Sequence, residues 1–118
     1  MKEQPDTNAI KDTLAKIEAR LQGSEAIPAE KRAELQDLLE KLKSEIAGLS
    51  TTHAEQAQSI AAFTEVSARE ATREQPNPRL LKLSLDGLVS SVEELETSHP
   101  RLVHIVNSIS TMLANLGI

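Results

Sequence analysis

Ile10, Leu14, Ile17 and Leu21 recur at steps of four, three and four, which lines them up in one narrow stripe on a helix over residues 8–22. Polar residues fill the remaining positions, and Gly23-Ser24 stops the pattern. A second stripe runs through Leu35, Leu38, Leu39, Leu42, Ile46 and Leu49. Its helix, over residues 28–49, opens at Pro28, whose fixed φ suits the first helical position, and closes at Gly48 and the Ser50-Thr51-Thr52 run. Matching seams and a short connection predict an antiparallel hairpin of the coiled-coil kind.

Thr52, followed three residues later by Glu55, has the spacing of a capping box and places a third helix over residues 53–74. On that helix Ala57, Ile60, Ala61, Thr64, Ala68 and Ala71 share one side, while Phe63 and Val66 fall away from it. The third helix therefore needs apolar neighbours on two sides. Gln75-Pro76-Asn77-Pro78 is a break, because a residue before proline is pushed out of helical space. Asn77 then reads as a cap and Pro78 as the first residue of a fourth helix, over residues 78–97.

The fourth helix carries Leu81, Leu85, Leu88, Val89, Val92 and Leu95 over a wide core-facing arc, with Leu80 and Leu83 outside it. Gly87 in its middle costs about 1 kcal/mol relative to alanine, which points to a close helix crossing, with a kink or hinge as the other use of such a residue. Ser98-His99-Pro100 breaks the chain again, with Ser98 as the expected cap and Pro100 near the start of a last helix over residues 99–116. Its stripe is Leu102, Ile105, Val106, Ile109, Met112, Leu113 and Leu116, and Gly117 stands where a left-handed C-cap is wanted, with Ile118 placed to fold back on the last turn. No period-two alternation and no internal repeat interrupts this pattern. The expected fold is all-α, with about five helices arranged as antiparallel hairpins in a bundle.

Composition narrows the picture. A chain of 118 residues suits one domain, here residues 7–118 behind a flexible arm of residues 1–6. Aromatic residues make up 1% of the chain, so the core must be aliphatic around the single Phe63. With no cysteine there is neither a disulfide framework nor a thiolate metal site, and a reducing cytoplasm is the expected compartment. The charged N-terminal pattern does not read as a signal peptide, and the uncharged stretch from Leu102 to Ile118 is too short and too polar to span a membrane. A net charge of −5 and the lack of any Lys/Arg cluster interleaved with aromatics argue against nucleic acid as a partner.

The C-terminal third carries a family resemblance. An acidic helix leading into Ser98-His99-Pro100, then an aliphatic helix closing on Leu113-Ala114-Asn115-Leu116-Gly117-Ile118, resembles a family of short bacterial proteins described as a domain of unknown function. The likeness is most specific over residues 91–118 and looser from Ile60 to Leu88. It implies a small cytosolic helical protein, and it brings with it neither an activity nor catalytic residues.

Chemistry-bearing motifs are sparse. Glu96-Thr97-Ser98-His99 has the Glu-x-x-His spacing of di-iron bundles, but such sites need a second pair, and the residues three before His53 and His104 are Ser50 and Arg101. His99 is read instead as shaping the corner between the last two helices. Glu30, Glu34, Asp37, Lys41 and Glu45 read as a solvated outer face. There is no glycine-rich phosphate loop and no serine at a motif spacing from a histidine. The expectation is a non-enzymatic interaction or assembly module without cofactor or metal. The alternative is a small-molecule or lipid-binding protein with a pocket between the last two helices. Self-association as a two-fold dimer, or docking of another protein, is expected through the third and fifth helices. The candidate interface is Phe63, Val66, His104, Ser108, Thr111 and Asn115, because from Leu102 onward even the outward side of the last helix lacks charge.

Overall fold

The computed structural model describes residues 5–49 and 52–116, with side chains from residue 9 onward; the expectations placed on residues 1–4, Ser50, Thr51, Gly117 and Ile118 lie outside them. Helix α1 spans Pro5–Gly23, α2 Ala29–Leu49, α3 Ala54–Ala71, α4 Pro78–Ser91 and α5 Pro100–Leu116, with a 3-10 turn at Glu93–Leu95. Among the described residues there is no strand. The protein is all-α, with five helices packed into a bundle. Around it the order is α1, α2, α5, α4, α3 and back to α1, and α3 and α5 also touch across the core.

The stripes read from the sequence are the walls of this core. Ile10, Leu14, Ile17 and Leu21 of α1 and Leu35, Leu39, Leu42, Ile46 and Leu49 of α2 are all buried. They meet as an α1–α2 hairpin whose outer edge is tied by Lys43, 3.2 Å from Glu18 and 3.6 Å from Glu40. The hydrogen bond that Lys43 donates to Glu18 raises its pKa above the ordinary lysine value; burial opposes the shift, and the charges of Glu18 and Glu40 add to it. Ile27, in the connection, is also buried, and Arg32 donates to its carbonyl at 2.9 Å.

Helix α3 packs between α1 and α4. Its buried Ala57, Ala61, Ala68 and Ala71 keep that face small, so its neighbours can approach closely. On the α4 side the ring of Phe63 lies against Gly87. A Cβ added at Gly87 would overlap the ring of Phe63, so a larger residue there would have to push that partly exposed ring aside. The close approach at Gly87 is thus made by an aromatic ring of α3.

Several boundaries move, each for a local reason. Helix α1 already includes Pro5 and Asp6, which the sequence pattern assigns to the arm. Pro28 precedes the first residue of α2, its carbonyl accepting from Arg32 N at 2.9 Å. Helix α3 begins one residue late, because the N–H groups of Thr52 and His53 both still bond Leu49 O, at 3.1 and 2.7 Å. His53, not Thr52, holds the cap position, and no side chain caps α3, so the expected capping box is out of register. Its C-terminal end is shorter too, with Thr72 bonding back to Ala68 O through both its N–H and its hydroxyl.

Helix α4 stops at Ser91 rather than running to residue 97. Ser91 Oγ donates to Leu88 O at 2.6 Å, and the tighter 3-10 turn that follows keeps both Val92 and Leu95 in the core while redirecting the chain. Asn77 caps α4 as expected, Oδ1 accepting from Arg79 N at 3.1 Å and Leu80 N at 3.2 Å, with Pro78 as the first helical residue. Helix α5 starts at Pro100, and the cap place falls to His99 instead of Ser98: His99 O accepts from Val103 N at 3.2 Å. A proline at the first helical position puts the cap immediately before it, as Asn77-Pro78 also shows.

Candidate functional site

Helix α4 carries the most unusual surface of the bundle. The exposed large hydrophobic residues are Leu83 at 59%, Leu80 at 43%, Phe63 at 38% and Val89 at 36% relative exposure. Three belong to α4, and the fourth lies against its Gly87. Elsewhere the described large aliphatic side chains are buried or half-buried. Leu80 and Leu83 stand outside the core-facing arc, as the helical period requires. Val89 does not follow the expectation: the period places it in the core, and the structure leaves it at the exposed edge of the arc. A groove between α4 and α5 opens at that edge.

The groove between α4 and α5 has a volume of about 760 Å³. Leu81, Leu85 and Val89 of α4 and Ala114 of α5 line it, with Pro76 and Pro78 at the end where the chain enters α4. Lys82, Asp86 and Thr111 border it, and Lys82 Nζ lies 3.1 Å from Asp86 Oδ2 along the helix. Ser110 also borders the groove and is buried, its hydroxyl without a hydrogen-bond partner. A buried hydroxyl with no partner carries a desolvation cost of about 1–3 kcal/mol that a protein core normally avoids. Ser67 in α3 is in the same condition.

The residues expected to form one interface are divided. His104, Thr111 and Asn115 are exposed and Ser108 is half-buried, all along the outward strip of α5 that flanks the groove. Phe63 lies in a second, smaller groove with Gly87, Ser90 and Glu94, on the opposite flank of α4, and Val66 is half-buried on α3. Helix α4 therefore stands between the α3 and α5 strips, and its own Leu80, Leu83 and Val89 are the exposed apolar groups that separate them. Periodicity sets Leu80 and Leu83 outside the core, which is the signal that could have found this surface.

One further constellation is not evident from the sequence. His53 and His99, the cap residues of α3 and α5, meet edge-on with ring centroids 5.5 Å apart. Each Nδ1 sits beside the preceding hydroxyl, Thr52 Oγ1 at 2.8 Å and Ser98 Oγ at 2.9 Å. The repeated hydroxyl-histidine pair at two helix starts is legible, but nothing local says that the two starts converge. His99 stands at the corner between α4 and α5, its N–H bonding Leu95 O at 2.7 Å. Among the described residues no group of three or more His, Asp or Glu is gathered as a metal would require. Nor is any described helix long and apolar enough to cross a membrane.

No curated protein and no solved structure matches this chain. One family model does, over residues 35–118, a span that starts within α2 and takes in all of α3, α4 and α5. The exposed apolar face of α4, the groove and the His53–His99 contact all fall inside that span, and α1 falls outside it. On this match, which covers well over half of the chain, the protein belongs to the family described as domain of unknown function DUF4404.

Proposed function

We propose that this protein is a helical assembly module that works through a surface, not through a catalytic centre, and that the surface is the exposed side of α4 with the groove beside it. The observation that carries this reading is the gathering of Leu80, Leu83 and Val89 on one short helix while the large aliphatic side chains of the other helices are covered. Leu80 and Leu83 are neighbours three residues apart, Asp86 separates them from Val89, and Val89 borders the groove; exposed apolar side chains grouped on one helix mark a place of contact with another macromolecule. Helix α5 supports it: beyond Arg101 it has no Asp, Glu, Lys or Arg, so covering its outward strip desolvates no such charge, and its His, Ser, Thr and Asn side chains can hydrogen-bond across a contact.

The test is site-specific photocrosslinking in cells that produce the protein. A photoreactive residue at Leu83 or Val89 is expected to give a discrete protein adduct, and one at Glu34, in the charged outer face of α2, is expected to give none. Equal labelling at all three positions, or none at Leu83 and Val89, overturns the reading.

The α4–α5 groove favours a second reading, an apolar small molecule or acyl chain held between the last two helices. Its volume and aliphatic walls are those of a small-molecule site. A saturating fatty acid would then stabilise the fold by about 2.7 kcal/mol at a hundredfold excess over Kd. An unchanged melting temperature across a chain-length series would remove this alternative.

A further inference from the structure

We infer, resting on the reading of α4 as a docking surface, that its partner is a second copy of this chain, packed α4 against α4 in antiparallel fashion about a two-fold axis. Charge complementarity on a mixed face, where Arg79, Lys82 and Asp86 stand among Leu83 and Val89, points to that occupant. Lys82 and Asp86 are the exposed charges that border the groove, next to Leu83 and Val89 on the outward side of α4. In an isologous contact a residue i on one copy meets j on the other, and j meets i in return. A helix with a cation at position 82 and an anion at position 86 is complementary to itself under that operation.

With the axis midway between the two residues, Lys82 of each copy faces Asp86 of the other, making two ion pairs. Leu83 then lies about 3 Å along the axis from its own counterpart, given a rise of 1.5 Å per residue, so at the flank of the contact the most exposed leucine meets its equivalent. The order of the charges supports the intermolecular use. For an isolated helix the favourable arrangement puts the anion N-terminal to the cation, and α4 has the reverse, so the 3.1 Å contact within the helix gains little from its direction. Helix α2 also carries an exposed i,i+4 pair, Asp37 with Lys41, but in the favourable order and without an exposed large aliphatic residue beside it.

The experiment is sedimentation equilibrium on the full chain, from low micromolar to submillimolar concentration, with circular dichroism to confirm that each variant keeps its helix content. The wild type is expected to be dimeric at the upper concentrations. Lys82→Glu places two acidic pairs in the contact and Asp86→Lys two basic pairs, and each alone should raise the dimer dissociation constant about tenfold. An equimolar mixture of the two variants should recover wild-type affinity, because the mixed dimer again pairs opposite charges at both positions. Leu83→Glu should give a monomer; all three side chains are exposed, so folding does not depend on them.

A dimer indifferent to all three variants, or a mixture no tighter than its components, overturns the α4–α4 contact. A wild-type monomer that still forms a photocrosslinked adduct at Leu83 with another protein overturns the second copy as occupant and leaves the docking surface standing. A monomer with no adduct overturns both.

Discussion

The α1–α2 hairpin and the α4–α5 pair are built alike, two helices joined by a short connection, and they treat their outer surfaces in opposite ways. The hairpin keeps a narrow aliphatic seam inside and spreads charge outside, with ion pairs at Lys43–Glu18 and Lys41–Asp37. Nothing large and apolar is left exposed on its described residues. The C-terminal pair has no Asp, Glu, Lys or Arg on α5 beyond Arg101, exposes Leu80, Leu83 and Val89 on α4, and leaves a groove between the two helices. The difference agrees with the proposed division, in which the hairpin supports the fold and α4 with α5 presents the surface, and the family model covers that second part in full.

The sharpest way to break this comparison is to truncate one leucine of the hairpin seam and one residue at the groove. Leu42→Ala empties a fully buried site and should cost about 2–5 kcal/mol in denaturant unfolding. Val89→Ala, at the groove edge, should cost less than about 1 kcal/mol. Comparable losses would mean that the groove edge supports the fold as strongly as the hairpin core does.

Gly87→Ala comes next. The added methyl meets the Phe63 ring, so overpacking of about 1–3 kcal/mol is offset only in part by the helix propensity gained, about 1 kcal/mol. In a Phe63→Ala background the clash is gone, and the same change should become stabilising. A double-mutant cycle that came out additive would show that the α3–α4 crossing does not depend on this contact.

Smaller effects test the polar side of the contrast. Ser110→Ala removes a buried hydroxyl that has no partner and should be neutral or stabilising by up to about 1 kcal/mol; a loss of more than that would reveal a hydrogen bond formed at the groove. On the hairpin, the raised pKa of Lys43 means that its pairing with Glu18 is fully present below the ordinary lysine pKa. That stabilisation is lost as pH rises through the raised value. Because Lys43 is partly exposed, the loss should be only about a few tenths of a kcal/mol, measured as the difference between wild type and Lys43→Met across the alkaline range. No difference there would show that the ion pair contributes nothing to the hairpin.

Local physics made most of the fold legible. Three- and four-residue spacing set the helical faces of α1 and α2, Asn77-Pro78 and Pro100 set two helix starts, and Gly87 announced a close approach, because each depends on a few neighbouring residues and their backbone preferences. The failures lie where another partner competes. Thr52 is displaced from its cap by the bonds that Leu49 O keeps with the next turn, and Ser98 by the proline two residues on. Val89 has the right period for the core, but whether its face is covered depends on where α5 runs.

Period and composition are properties of the chain, and they were enough to show a set of amphipathic helices with a charged N-terminal half and a last helix without Asp, Glu, Lys or Arg beyond Arg101. The place of α4 between α3 and α5, the seating of Phe63 on Gly87, the meeting of His53 and His99 and the groove beside Val89 appear in the folded protein alone. Those are consequences of the order of the helices around the bundle. That order is fixed by how all five apolar faces fit together at once, a global packing condition that no single segment carries.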